Sequence, residues 1–230
     1  MPDSPQLDPP SAHDLWARIA HDLRQPIQAL LLLTHVMAAT DAAAQRQQTG
    51  KSIEDMLVAL QDMLDQVALL ARLESGSEHA RPAPCSMPEL VSQVSEQLAD
   101  ALAENSAEIE TKCTAATITT DVRLLETALG ALILNALKLR TEGPVTLTCG
   151  RRRGGYRLEI AFAAPPVSST QLRALFIEFP RRRGGAVLIT PVAGPAFIAR
   201  LAHHLGGSLE HKSLPDGRQR LALVLTPSAK

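Results

Sequence analysis

Residues 11–40 read SAHDLWARIAHDLRQPIQALLLLTHVMAAT. The apolar positions Ile19, Leu23, Pro26, Leu30, Leu33 and Met37 recur at steps of 4, 3, 4, 3 and 4. With 3.6 residues per turn, that interval places all six on one face of a helix. Residues 51–74 repeat it with Ile53, Leu57, Leu60, Leu64, Val67 and Ala71. Two helices with matching seams, joined by the polar stretch Thr40–Gly50, predict an antiparallel hairpin. One hairpin alone buries little apolar area. Two of them pairing as a dimeric four-helix bundle is therefore the economical arrangement. The alternative is packing of the hairpin on the rest of its own chain.

The 230 residues are long enough for two small domains, each with its own core. Hydrophobic residues are 45% and charged residues 20%, a globular composition. Net charge is −1 and aromatics are 3%, so there is neither a basic field nor a set of stacking rings for nucleic acid. The longest apolar run, Ala29–Leu33, is far below the ~20 residues of a membrane span, and the proline-rich start has no signal-peptide pattern. A cytoplasmic protein is expected. Cys85, Cys113 and Cys149 are scattered without a CxxC pair, which suggests idle thiols rather than a metal site or disulfide framework.

Composition divides the chain into a disordered tail (1–10), the hairpin (11–76), a Gly-, Ser- and Pro-rich linker (77–88) and a mixed domain (89–228). In the last, helices are expected over Glu89–Asn105, Asp121–Leu139 (capped by Asp121), Ser168–Glu178 and Pro195–Leu205. Strands are expected at Glu108–Lys112, Ala116–Thr119, Pro144–Cys149, Tyr156–Phe162, Ser208–His211 and Arg218–Leu225, with turns at Arg151–Gly155 and Pro215–Gly217. The fold class is α+β, with helices on one face of a sheet.

One of the seven histidines has a setting that suggests chemistry. By helical phase His21 points away from the seam; Asp22 follows it and Gln25 lies one turn on. A neutral imidazole is a nucleophile toward a phosphoryl group, a carboxylate beside it orients or accepts the ring proton, and an amide can position water. The segment Ala20–Leu30 (AHDLRQPIQAL) resembles the phosphoacceptor box of two-component sensor histidine kinases. Ala71–Gly76 (ARLESG) looks like the end of their second dimerisation helix. Leu125–Leu139, with Asn135-Ala136-Leu137-Lys138, looks like the N-box helix, Phe176–Phe179 like the F-box, and Leu201–Ser213 like the last helix and strand of the ATPase domain. The resemblance spans residues 12–227. It implies a phosphoacceptor hairpin followed by an α/β sandwich of the Bergerat ATPase type, with His21 as phosphoacceptor.

The family's ATP site is poorly matched. Counting back from Phe179, the adenine-binding aspartate falls on Phe162, which accepts no hydrogen bond, and two glycines fall on Ala164 and Pro166. The phosphate-cradling glycine box corresponds to Thr190–Pro195, where only Gly194 survives and two prolines remove donors. Asn135 remains from the metal-binding pair, its partner position being Ala131, and the lid is shortened to Pro180–Leu188. Asn135, Lys138 and Gly194 are what is left to hold ATP, and Asn135 to hold Mg²⁺. No cofactor is expected unless this site still works.

The leading expectation is a His–Asp phosphotransfer protein or phosphatase acting through His21, with Asp22 as acid, base or orienting group and Gln25 positioning water. Its expected partners are response-regulator receiver domains, a second copy of the chain and, since only about ten residues precede the first helix, a separate sensor kinase. The alternatives are an active histidine kinase with a divergent ATP site, and a pseudokinase module that binds another kinase or regulator. The arginine runs Arg151–Arg153 and Arg181–Arg183 read as solvated hairpin and loop charge, or as a dock for an acidic partner surface.

Overall fold

The computed structural model describes residues 6–7, 12–152, 155–174, 176–183 and 186–226. Helices α1 (Ala12–Ala39) and α2 (Ala43–Glu74) form the expected antiparallel hairpin. The connection is shorter than Thr40–Gly50: α2 already begins at Ala43, because AAQRQQ favours helix despite its polarity. On α1 the predicted face holds up to its last member: Ile19 and Pro26 are buried and Leu23, Leu30 and Leu33 half-buried, but Met37 is exposed.

On α2 the seam is displaced by one position. The buried residues are Thr49, Met56, Ala59, Met63, Leu69, Leu70 and Leu73, while Leu57 and Leu64 of the predicted stripe stay exposed. Both stripes have helical spacing. Periodicity alone gives a helix an apolar face but does not say which part of a wide face touches the near neighbour.

The second unit is a sheet layered against helices. Its six strands run in the order β1 (Gln6–Leu7), β9 (Gly207–Ser213), β10 (Arg218–Leu225), β6 (Gly155–Ala163), β5 (Glu142–Arg152), β3 (Ile109–Cys113). All neighbours are antiparallel except β3 and β5. Helices α3 (Met87–Gln97), α5 (Val122–Leu139) and α7 (Pro195–His204) contribute to one core with the inward residues of β6 and β10. Along β6 the alternation is strict: Tyr156, Leu158, Ile160 and Phe162 face in, and Arg157 and Glu159 face out. Arg157 bridges Glu159 and Glu210 at 2.6 Å each on the outer face.

Local signals explain these elements. Asp121 caps α5, its Oδ1 accepting the Leu124 N–H at 3.0 Å, and its Oδ2 accepts the Arg81 N–H at 2.8 Å. Gly217 adopts φ 81° in the expected turn. A side chain on Gly155 would meet the Leu225 carbonyl oxygen, so the hairpin close to β10 needs glycine there.

Several expectations are corrected. The tail is not wholly unstructured: Gln6 and Leu7 pair with Glu210 and Leu209, satisfying backbone groups at the sheet edge. The remainder of 1–10 lies outside the described residues. The linker contains structure: Ala83–Ser86 is strand β2, paired with β4 (Thr117–Thr120), and Glu78 ties it to Arg72 and Arg123. The helix expected over Glu89–Asn105 breaks at Leu98 into α3 and α4 (Ala99–Glu104). The helix expected over Ser168–Glu178 is only α6 (Ser169–Leu172). Phe176–Arg183 and Ala186–Ala193 instead form a two-stranded hairpin, β7–β8. Pro180 and Pro191 are tolerated there because neither strand is central in a larger sheet. Cys113 and Cys149, expected to be idle, are opposite each other on β3 and β5, with Cα atoms 4.4 Å apart, and are joined as a disulfide. Cys85 is a buried free thiol.

Candidate functional site

Helix α1 displays His21 about a third of the way along its length. The side chain is 68% exposed, and Nδ1 lies 3.1 Å from Oδ1 of half-buried Asp22. In the tautomer that donates from Nδ1 to this carboxylate, Nε2 carries a lone pair. Gln25, one turn on, is also exposed. Pro26 has no N–H for the Asp22 carbonyl, yet α1 continues through it with the ring buried. His21, Asp22 and Gln25 thus occupy one accessible helix surface, able to attack a phosphoryl group, hold the ring proton and orient water.

The second group of candidates has a different environment. Asn135 on α5 is completely buried. Its Nδ2 donates to Ala131 O and Ala193 O, both at 2.7 Å, and its Oδ1 has no partner among the described residues. Ala131, on the same helix, is buried as well. Gly194 is buried at the start of α7. The next residue, Pro195, has no N–H, and the Ala196 N–H donates to Ala174 O at 3.0 Å. The first donors of that helix are therefore absent or occupied. Lys138 is exposed in the last turn of α5. Thr190–Ala193 is extended backbone on β8, with Thr190 opposite Phe179.

Phe162 is fully buried and pairs across the ladder with Gln219. Beside it lies a polar cluster that the sequence gives no reason to single out. The Gln219 Oε1 accepts from Ser213 Oγ at 2.8 Å and lies 3.0 Å from Nε2 of buried His211; the Gln219 Nε2 donates to Ala164 O at 3.4 Å. Burial holds the His211 imidazole below its ordinary pKa, partly offset by the Gln219 hydrogen bond. Glu74 was also missed. It lies at the end of α2, 3.3 Å from Arg200 and 3.2 Å from His204 of α7. Only the pairing of distant elements reveals these contacts.

Residues 11–76 match the family model described as the His Kinase A (phospho-acceptor) domain. The matched segment is the helix hairpin, and it agrees with the resemblance to two-component sensor histidine kinases. Among curated proteins it is 27% identical over 154 residues to the sensor-like histidine kinase SenX3 of Mycobacterium bovis and to that of Mycobacterium tuberculosis. The match covers 64% of this chain and 36% of either relative, so the chain spans about a third of their length. The Acinetobacter baumannii histidine kinase AdeS superposes with a TM-score of 0.74 at 17% identity, over 91% of this chain and 98% of that one. ThkA, solved in complex with the response regulator protein TrrA, gives 0.65 at 17%, over 94% and 63%. These likenesses establish the fold: a phosphoacceptor hairpin followed by an ATPase-type α/β domain. The chain thus combines a histidine kinase fold with a segment of the His Kinase A type. None of its described helices is long and apolar enough to cross a membrane.

Proposed function

We propose that this protein carries phosphoryl groups between response-regulator aspartates, or returns them to water, through His21, and does not phosphorylate itself from ATP. The observation that carries the reading is the contrast between an exposed His21–Asp22 pair and a fully buried Asn135. The residues at the expected nucleotide site do not fit ATP and Mg²⁺. Phe162 fills apolar space where a hydrogen-bond acceptor is needed, and Asn135 holds the end of β8. The donors expected to cradle phosphate lie in a strand and at a helix start already partnered by Ala174.

In the transfer, the Nε2 lone pair attacks phosphorus of an aspartyl phosphate. The N–P bond forms as the P–O bond breaks, and the donor aspartate leaves as a carboxylate. Asp22, at Nδ1, balances the charge that develops on the ring. Transfer to a second aspartate is the reverse. Gln25 orients water when the group is hydrolysed.

A homodimer fits the apolar surface. Trp16, Ile27 and Leu31 of α1 lie about 60–120° around from the intrachain seam, and Leu57 and Leu64 of α2 about 80–100°. In an antiparallel hairpin equal rotations point to the same flank, so these five exposed side chains form one apolar face. Light scattering at micromolar concentration is expected to show twice the 24.7 kDa chain mass; a monomer contradicts the dimer.

The transfer test uses a panel of receiver domains phosphorylated with labelled acetyl phosphate. Acid-labile label should move to the wild-type chain and not to His21→Ala. Failure of every active receiver to load the chain overturns the carrier reading.

A further inference from the structure

We propose that the ATPase-type domain is latched to the helix hairpin through Glu74, so that the two move as one body and leave the His21 surface uncovered. Glu74 ends α2, and its carboxylate receives Arg200 and His204 of α7 together. All three side chains are about four-fifths or more buried. An ion pair shielded from water is weakened less by salt than an exposed one, and breaking it leaves charge in a poor solvent.

Three further contacts act at other places. The Arg18 guanidinium, on the first half of α1, donates to the Arg173 carbonyl at 2.9 Å. Strand β8 packs along α2, and Asn135 fastens the end of that strand to α5. The segment just before α1 continues the sheet as β1 on β9. Contacts at the open end of the hairpin, along α2 and at the outer sheet edge together restrict the rotations that a single short linker would permit. Leu15, Ile19, Met63 and Leu70 of the hairpin also belong to the same buried cluster as the sheet domain.

The latch is independent of phosphate chemistry at His21. It is tested on the full chain carrying spin labels at Gln61→Cys and Ser92→Cys, mixed with a tenfold excess of unlabelled chain so that labelled protomers are isolated. Double electron–electron resonance should give one narrow distance distribution, unchanged by Mg²⁺ with the ATP analogue AMP-PNP. Glu74→Gln combined with Arg18→Ala should broaden it at least twofold. If that variant does not fold, His204→Ala, which removes one leg without stranding the arginine, should broaden it less. A broad distribution in the wild type, a shift with AMP-PNP, or variants as narrow as the wild type would each overturn the latch. Label transfer to His21, assayed on the same samples, separates the two readings: a broad distribution with intact transfer defeats the latch and leaves the carrier standing.

Discussion

His21 and Asn135 each sit on a long helix within a family motif, and the structure treats them oppositely. His21 is mostly in solvent with one ring nitrogen steadied by Asp22. Asn135 is wholly in the core with its amide donors spent on two carbonyls. A polar side chain in solvent is available to a partner; in the core, Asn135 spends its Nδ2 on packing while its Oδ1 has no partner among the described residues. The hairpin presents an accessible polar group, whereas Asn135 and Phe162 of the second domain lie in its core.

The largest effect is expected from rebuilding the missing carboxylate. Phe162→Asp would place a charge beside Leu158 and Ile160 in the core, with loss of several kcal/mol, about 3–5 from the ring alone. Thermal unfolding should drop by well over 10 °C, and AMP-PNP with Mg²⁺ should not restore it. A nucleotide-dependent rise would break the contrast. Asp121→Ala comes next. It removes both the α5 cap and the acceptor for Arg81, at a cost of about 1–3 kcal/mol in urea unfolding.

The cap also shows what was legible in the sequence. Helices α1 and α5 and the β5–β6 hairpin follow from periodicity, an aspartate before an apolar run, and a glycine turn. His21, Asp22 and Gln25 come together because they are near neighbours on one helix. What was not legible depends on distant pairing. The Cys113–Cys149 contact needs the parallel β3–β5 register. Glu74 meets residues 126 and 130 positions away. The β7–β8 hairpin was hidden by prolines that argue against a strand unless both strands lack a second neighbour. The α2 seam shifted because one wide apolar face serves both its own hairpin and, in the proposed dimer, a second copy.

A smaller effect concerns His211. Burial lowers its pKa in the folded chain, so the unfolded chain binds the proton more readily. Its contribution is complete above about pH 6.5 and is lost as pH falls from there toward the folded value. Urea midpoints at pH 7.5 and 5.5 should differ more for wild type than for His211→Gln; equal differences would remove the burial argument. The smallest effect on stability is that of His21→Ala. An exposed helical side chain should change stability by no more than about 0.5 kcal/mol, so circular dichroism melts of variant and wild type should overlap while phosphate acceptance is abolished.

The most direct measurement offers wild-type protein its phosphoryl group from two sources in parallel: γ-labelled ATP with Mg²⁺, and labelled phospho-receiver domains, each beside His21→Ala. Acid-labile label on His21 from a receiver and none from ATP is the predicted result. Label on His21 from ATP alone, with the receivers unable to deliver it, would contradict the contrast between the two domains and make the protein an autokinase.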